Sequence, residues 1–114
     1  VDVSGASIST NAGNAVVSQA TTTELFQNAP NPFNPTTLIR FALPQPAAVS
    51  ILVYNMVGQE VKVLLDNSSK PAGFDAVTWD GTNDRGRKVS SGVYLYRITT
   101  STGFDQTKRM ILLR

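Results

Sequence analysis

The chain has 114 residues, 41% hydrophobic and 16% charged, with a formal net charge of +2. That length fits one compact domain plus a tail. It contains neither cysteine nor histidine, which excludes a disulfide framework, a thiolate metal site, a cysteine nucleophile and the usual general base near neutral pH.

Residues 1–24, VDVSGASISTNAGNAVVSQATTTE, are rich in Ser, Thr, Ala, Asn and Gly and hold no aromatic residue. This composition reads as a flexible linker, with a strand left from an upstream domain over Val1–Ser9 as the alternative. The character changes near Thr23–Leu25, where the domain of residues 25–114 is expected to begin. Asn28-Ala-Pro-Asn-Pro-Phe-Asn-Pro35 follows, with Pro30, Pro32 and Pro35 removing three backbone donors. It reads as a stiff, extended strut pinned to the core by Phe33.

The remainder alternates like a β protein. In Thr37–Leu43, Ile39, Phe41 and Leu43 share a face; in Val49–Asn55, Val49, Ile51 and Val53 do. Glu60–Leu65 sends Val61, Val63 and Leu65 inward against Lys62, and Phe74–Asp80 aligns Val77 with Trp79. Gly92–Thr100 aligns Tyr94, Tyr96 and Ile98. The terminal Thr107–Arg114 puts Met110 and Leu112 on one face, Ile111 and Leu113 on the other. Pro44-Gln-Pro46, Met56-Val-Gly58, a longer loop at Asn67–Gly73, Asp80–Gly86 and Ser101-Thr-Gly103 supply the turns. Strands at this spacing, without a helical segment, predict an all-β, immunoglobulin-like antiparallel sandwich of about seven strands. Its expected core is Phe33, Ile39, Phe41, Ile51, Val53, Val63, Val77, Trp79, Tyr96 and Met110, each contributing about 1.5–3 kcal/mol when fully buried.

Candidate chemistry is sparse. Asp80, Asn83 and Asp84, between Gly81 and Gly86, resemble part of a calcium loop, but the alternating ligands and closing Glu of an EF-hand are missing, and Arg85, Arg87 and Lys88 would repel a cation. An Asx-type turn is the better reading, with no metal and no cofactor expected. No paired carboxylates, no His beside Ser90-Ser91 and no phosphate loop are present, so no enzymatic activity is expected. Tyr54, Trp79, Tyr94, Tyr96 and Phe104 would form a sugar-stacking platform if exposed, but their phase with aliphatic neighbours favours a core. Residues 85–114 hold seven cations against Asp105 alone, whereas residues 1–84 hold three against seven acids. Single scattered cations on strands read as a solvated face or a surface for an acidic partner, not for nucleic acid.

Three stretches together, NAPNPFNPTTLIRFALPQPAAVSILVYNMVGQEVKVLL, AGFDAVTWDGTNDRGRKVSSGVYLYRI and QTKRMILLR, resemble the type A C-terminal sorting domain of the type IX secretion system. They are about as similar to the immunoglobulin-like domain of flagellar hook-capping proteins. The resemblance spans Leu25 to Arg114. It implies a delivery role in a Bacteroidota-like Gram-negative bacterium: a large cargo upstream in the same chain, export through the periplasm, recognition by the outer-membrane translocon and its shuttle protein, and removal or surface attachment by a sortase. The family's glycine segment maps onto Ser91-Gly92-Val93-Tyr94 and its terminal strand onto Lys108–Arg114, with Arg114 expected as the native C-terminus and cleavage upstream of Leu25. On this resemblance, recognition is assigned to Gly92, Tyr94, Lys108, Met110, Leu112 and Arg114, through strand addition or a mixed apolar and cationic surface. A hook-cap-like structural module and a carbohydrate-binding accessory module are the alternatives, and an open edge strand leaves room for a weak homodimer.

Overall fold

The computed structural model describes residues 20–114. The linker expected over residues 1–24, and its alternative strand at Val1–Ser9, therefore lie outside the described residues as far as position 19. Seven strands follow in the described part: β1 (Glu24–Leu25), β2 (Thr37–Leu43), β3 (Ala47–Asn55), β4 (Glu60–Lys70), β5 (Gly73–Trp79), β6 (Gly92–Thr100) and β7 (Asp105–Leu112). They form two antiparallel sheets, one ordered β1-β2-β5 and the other β4-β3-β6-β7. The chain is an all-β, immunoglobulin-like sandwich, as the alternation predicts.

Period-2 patterning decides which side chains meet between the sheets. Leu25, Ile39, Phe41, Leu43 and Trp79 come from one sheet. Val49, Ile51, Val53, Tyr96, Ile98, Met110 and Leu112 come from the other, and all are buried. Phe33 closes the end of this layer, its ring 5.7 Å from that of Trp79, which in turn meets Tyr94 edge-on at 5.2 Å. Trp79 satisfies its indole N–H by donating to the Thr82 carbonyl at 2.9 Å.

Two expectations need correction. Val63 and Val77 are only half-buried, because both lie on outer strands: β4, whose pairing with β3 shifts register three times and turns its side chains off a strict alternation, and β5, at the edge of the three-stranded sheet. The loop expected at Asn67–Gly73 is shorter: β4 continues to Lys70, pairing Ser68, Ser69 and Lys70 with Val49, Ala48 and Ala47. Asn67 takes φ 49° at this irregularity, and its N–H finds the Ser50 hydroxyl at 2.9 Å.

Candidate functional site

The terminal hairpin β6–β7 carries the residues that the resemblance singles out. Gly92 pairs with Leu112, Tyr94 with Met110 and Tyr96 with Lys108. Met110 and Leu112 are fully buried and Tyr94 is 6% exposed, so a partner cannot touch them while the domain is folded. Gly92 and Lys108 are half-buried. Arg114 is exposed, but its guanidinium is turned back into the domain. Its Nε donates to the Val89 carbonyl at 2.5 Å and a terminal nitrogen to the Gly81 carbonyl, while the Arg114 N–H donates to Ser91 Oγ at 2.8 Å. The inward phase of β7 is thus structural. Surface available to a partner lies on the opposite phase: Val93, Arg97, Thr107, Arg109, Ile111 and Leu113 are exposed. Within it, Gln27, Asn31, Val93, Arg109 and Ile111 line a shallow groove of about 380 Å³.

β7 is the last strand of its sheet, and the proline-rich stretch covers part of its free edge. Phe33 donates its N–H to the Ile111 carbonyl at 3.0 Å and accepts from Leu113 N–H at 2.9 Å. Ile111 N–H donates to Asn31 Oδ1 at 3.0 Å, and Gln27 Nε2 donates to the Arg109 carbonyl at 2.7 Å. Strand addition along Ile111–Leu113 is therefore closed, because the backbone groups that would form the ladder are already used, while at Arg109 only the carbonyl is taken. The stretch runs through bends between its two bridges, at Ala29 and Phe33, rather than as the straight strut expected from its prolines.

A buried polar cluster fixes this clasp. Asn28 Nδ2 donates to Thr37 Oγ1 at 2.9 Å and to the Pro30 carbonyl at 3.1 Å, and the Thr37 hydroxyl donates to the same carbonyl at 2.9 Å. The Tyr96 hydroxyl accepts from Asn28 N–H and donates to the Phe26 carbonyl, each at 2.8 Å. Burial pushes the Tyr96 hydroxyl up to about 12, the Asn28 N–H opposing weakly, so the group is a neutral donor and acceptor at physiological pH.

The Asp80–Gly86 turn spends its oxygens on local donors. Asp80 Oδ1 accepts from the N–H and hydroxyl of Thr82, and Asn83 Oδ1 accepts from the N–H groups of Arg85 and Arg87. The Thr82 hydroxyl holds the Asp80 carboxyl below its usual range. Asp84 reaches across to β4, its Oδ1 accepting from Val63 N–H at 2.9 Å while its own N–H donates to the Val61 carbonyl. These carboxylates cap backbone, and among the described residues no group of three or more acidic, His or Cys side chains converges on a metal position. The Asx-turn reading describes this loop better than a calcium loop.

Trp79, Tyr94 and Tyr96 are buried and Tyr54 and Phe104 half-buried, so the five do not form an exposed platform. The outer face of the three-stranded sheet instead shows Phe26 and Phe74, with ring centres 6.3 Å apart and Arg40 over the Phe26 ring.

The family model for the FlgD Ig-like domain matches residues 28–103, from the proline clasp to the β6–β7 turn. The chain belongs to the FlgD Ig-like domain family. Among solved structures, this FlgD Ig-like domain is similar to part of dimeric latent PorU from Porphyromonas gingivalis (24% identity, TM-score 0.64), covering 80% of this chain and 9% of PorU. It is also similar to part of PorZ, an essential surface component of the type IX secretion system of the same organism (18% identity, TM-score 0.55, 79% and 11% covered). FlgD from P. aeruginosa matches at 23% identity and TM-score 0.54, over 69% of this chain and 66% of FlgD. The chain thus spans about a tenth of the PorU and PorZ chains. No curated protein sequence matches it.

Proposed function

We propose that this FlgD Ig-like domain is a non-catalytic C-terminal sorting domain that directs an upstream cargo through the type IX secretion system to the cell surface. The observation that carries this reading is the same sandwich within PorZ, a component of that system. The order of sequence motifs from the proline clasp to Lys108–Arg114 supports it. A folded, cysteine-free sandwich offers a shape rather than chemistry. Because Met110 and Leu112 are committed to the core, the receptor reads the outward phase of the terminal hairpin, Val93, Arg109, Ile111 and Leu113, where apolar and cationic groups alternate. A surface sortase then removes the domain or attaches the cargo.

The test is to fuse the 114-residue chain behind a fluorescent reporter with a Sec signal in a type IX-competent bacterium. Export is expected in that strain and periplasmic retention in a translocon mutant; retention in both refutes the sorting role. Deleting Lys108–Arg114 is unsuitable as a probe, since it removes two core side chains and unfolds the domain. The doubly substituted Val93→Ser, Ile111→Ser keeps the core and should reduce export if this face is the recognised one.

A second reading, a structural module of the flagellar hook-cap type, is favoured by the likeness to FlgD over most of this chain. It predicts retention of the fusion in both strains. The carbohydrate-binding alternative loses Trp79, Tyr94 and Tyr96 to the core.

A further inference from the structure

The clasp leaves β7 half covered, and the uncovered half has a property of its own. The groups that reach the clasp belong to Arg109, Ile111 and Leu113, while Gln106, Lys108 and Met110 alternate with them along the strand. Odd-numbered residues therefore point their N–H and C=O away from β6. Below the Arg109 carbonyl, which the Gln27 side chain holds, the same phase turns the Arg109 N–H and the backbone groups of Thr107 and Asp105 to solvent, with no strand beyond β7 among the described residues. All three of Asp105, Thr107 and Arg109 are exposed.

We infer that this open half-edge pairs with the same half-edge of a second copy, antiparallel and two-fold about Thr107. An antiparallel two-fold on Thr107 sets Thr107 opposite the partner's Thr107 as a hydrogen-bonded pair. It also sets Asp105 opposite the partner's Arg109, and Arg109 opposite the partner's Asp105. The edge is thus self-complementary in charge as well as in hydrogen-bond phase. Asp105 already accepts both Arg97 nitrogens, at 2.8 and 2.6 Å, so the partner's Arg109 would complete a network of two cations around one carboxylate. Among the described residues Arg109 has no carboxylate of its own within ion-pair distance.

The clasp sets the length of the pairing. The partner strand would reach its own Ser101–Gly103 turn beyond Asp105, at the level where Asn31 and Phe33 take over the edge. The other outer strands are not equivalent. β4 is interrupted at Asn67 and capped by Asp84, and β5 carries no cation to oppose Asp75. Three residues of ladder per protomer bury far less than the roughly 1,200 Å² of stable complexes. The association is accordingly weak and concentration-dependent, and it leaves Val93 and Ile111 uncovered. It is independent of the sorting role.

The test uses the whole chain, with sedimentation equilibrium and amide NMR between about 20 µM and 1 mM, a range suited to weak contacts. A monomer–dimer equilibrium is expected, with exchange protection appearing at the Thr107 and Arg109 amides as the dimer fills. Arg109→Asp alone and Asp105→Arg alone each place like charges opposite one another, and each should weaken the dimer about five- to thirtyfold. Mixing the two variants restores an acid opposite a cation at both positions and should recover dimer as a heterodimer. Thr107→Cys, the sole cysteine of its variant, should oxidise to a disulfide-linked dimer much faster than Thr102→Cys in the exposed turn. A chain that stays monomeric at 1 mM overturns the inference, as does a dimer indifferent to both single variants or a mixture that fails to recover. Edge protection that appears only on adding an unrelated acidic peptide also overturns it, because the occupant is then not a second copy.

Discussion

Replacing Tyr96 by Phe removes one oxygen from the centre of the domain and keeps the ring, so no cavity opens. What is lost is the bridge from β6 to the chain entering the clasp. Asn28 N–H, buried at 2% exposure, loses its acceptor, and the Phe26 carbonyl loses its donor. An orphaned buried N–H costs about 1–3 kcal/mol, and the half-buried carbonyl, able to turn to water, adds up to about 1 kcal/mol. A loss of about 2–4 kcal/mol is large against a total of about 5–15 kcal/mol and corresponds to a fall in Tm of roughly 10–25 °C for a domain this size. The pH dependence gives an independent signature. The folded Tyr96 pKa of about 12 lies above its ordinary value of 10.0, burial being the main cause. Its contribution is therefore complete below pH 10 and lost as pH rises from about 10 to 12. Thermal melts by circular dichroism at neutral pH and across pH 9–12 measure both effects: the wild type should lose stability more steeply than Tyr96→Phe in that window. A Tm within 3 °C of wild type together with parallel alkaline curves would refute the assignment of Tyr96 as the anchor of the clasp.

Phe33→Ala should cost about 3–5 kcal/mol by urea denaturation, because the ring is buried against Trp79; a loss below about 1 kcal/mol would mean the site collapses without it. Gly81→Ala should destabilise by about 1–3 kcal/mol in the same assay. Gly81 has φ +77°, and an added Cβ would lie 2.8 Å from Arg114 Nη2 and 3.3 Å from the Pro35 carbonyl. Hydrogen exchange at Val89, whose N–H bonds to the Gly81 carbonyl at 3.0 Å, should accelerate with it. Asp84→Ala uncaps Val63 N–H on the β4 edge, so a loss of about 1 kcal/mol should come with aggregation, read by light scattering, at lower temperature than wild type. Asp80 has its folded pKa lowered, first by the Thr82 hydroxyl. Its contribution is present at neutral pH and lost as the pH falls below about 4, and Asp80→Asn should flatten that part of the acid melt.

β2, β3, β6 and β7 were legible because burial between two sheets demands period 2, and apart from Ala42 their buried residues fall in phase. The turn residues were legible too: Gly58 and Gly103 take φ 86° and 93° at the tips of their hairpins, where a side chain would be strained. β4 was read less well. Its length comes from the ladder with β3, and its half-buried side chains from its place at the sheet edge; neither is a local property. Phe33 was legible as an apolar pin among prolines, but not the bend of its stretch or the strand it clasps, since Ile111 and Leu113 are about 80 residues away.

Sequence alone determined the class of the molecule: strands of alternating phase, no cysteine or histidine for chemistry, and a cationic terminal segment. Its terminal strand is apolar on both phases, so alternation put Met110 in the expected core while the resemblance assigned Met110 and Leu112 to recognition, two readings that conflict. Tertiary structure decided between them. The opposing sheet takes the phase that packs against Trp79 and Phe33 and leaves the other to solvent. Only the folded chain brings the proline stretch onto one half of the β7 edge, and backbone groups paired there cannot serve a partner.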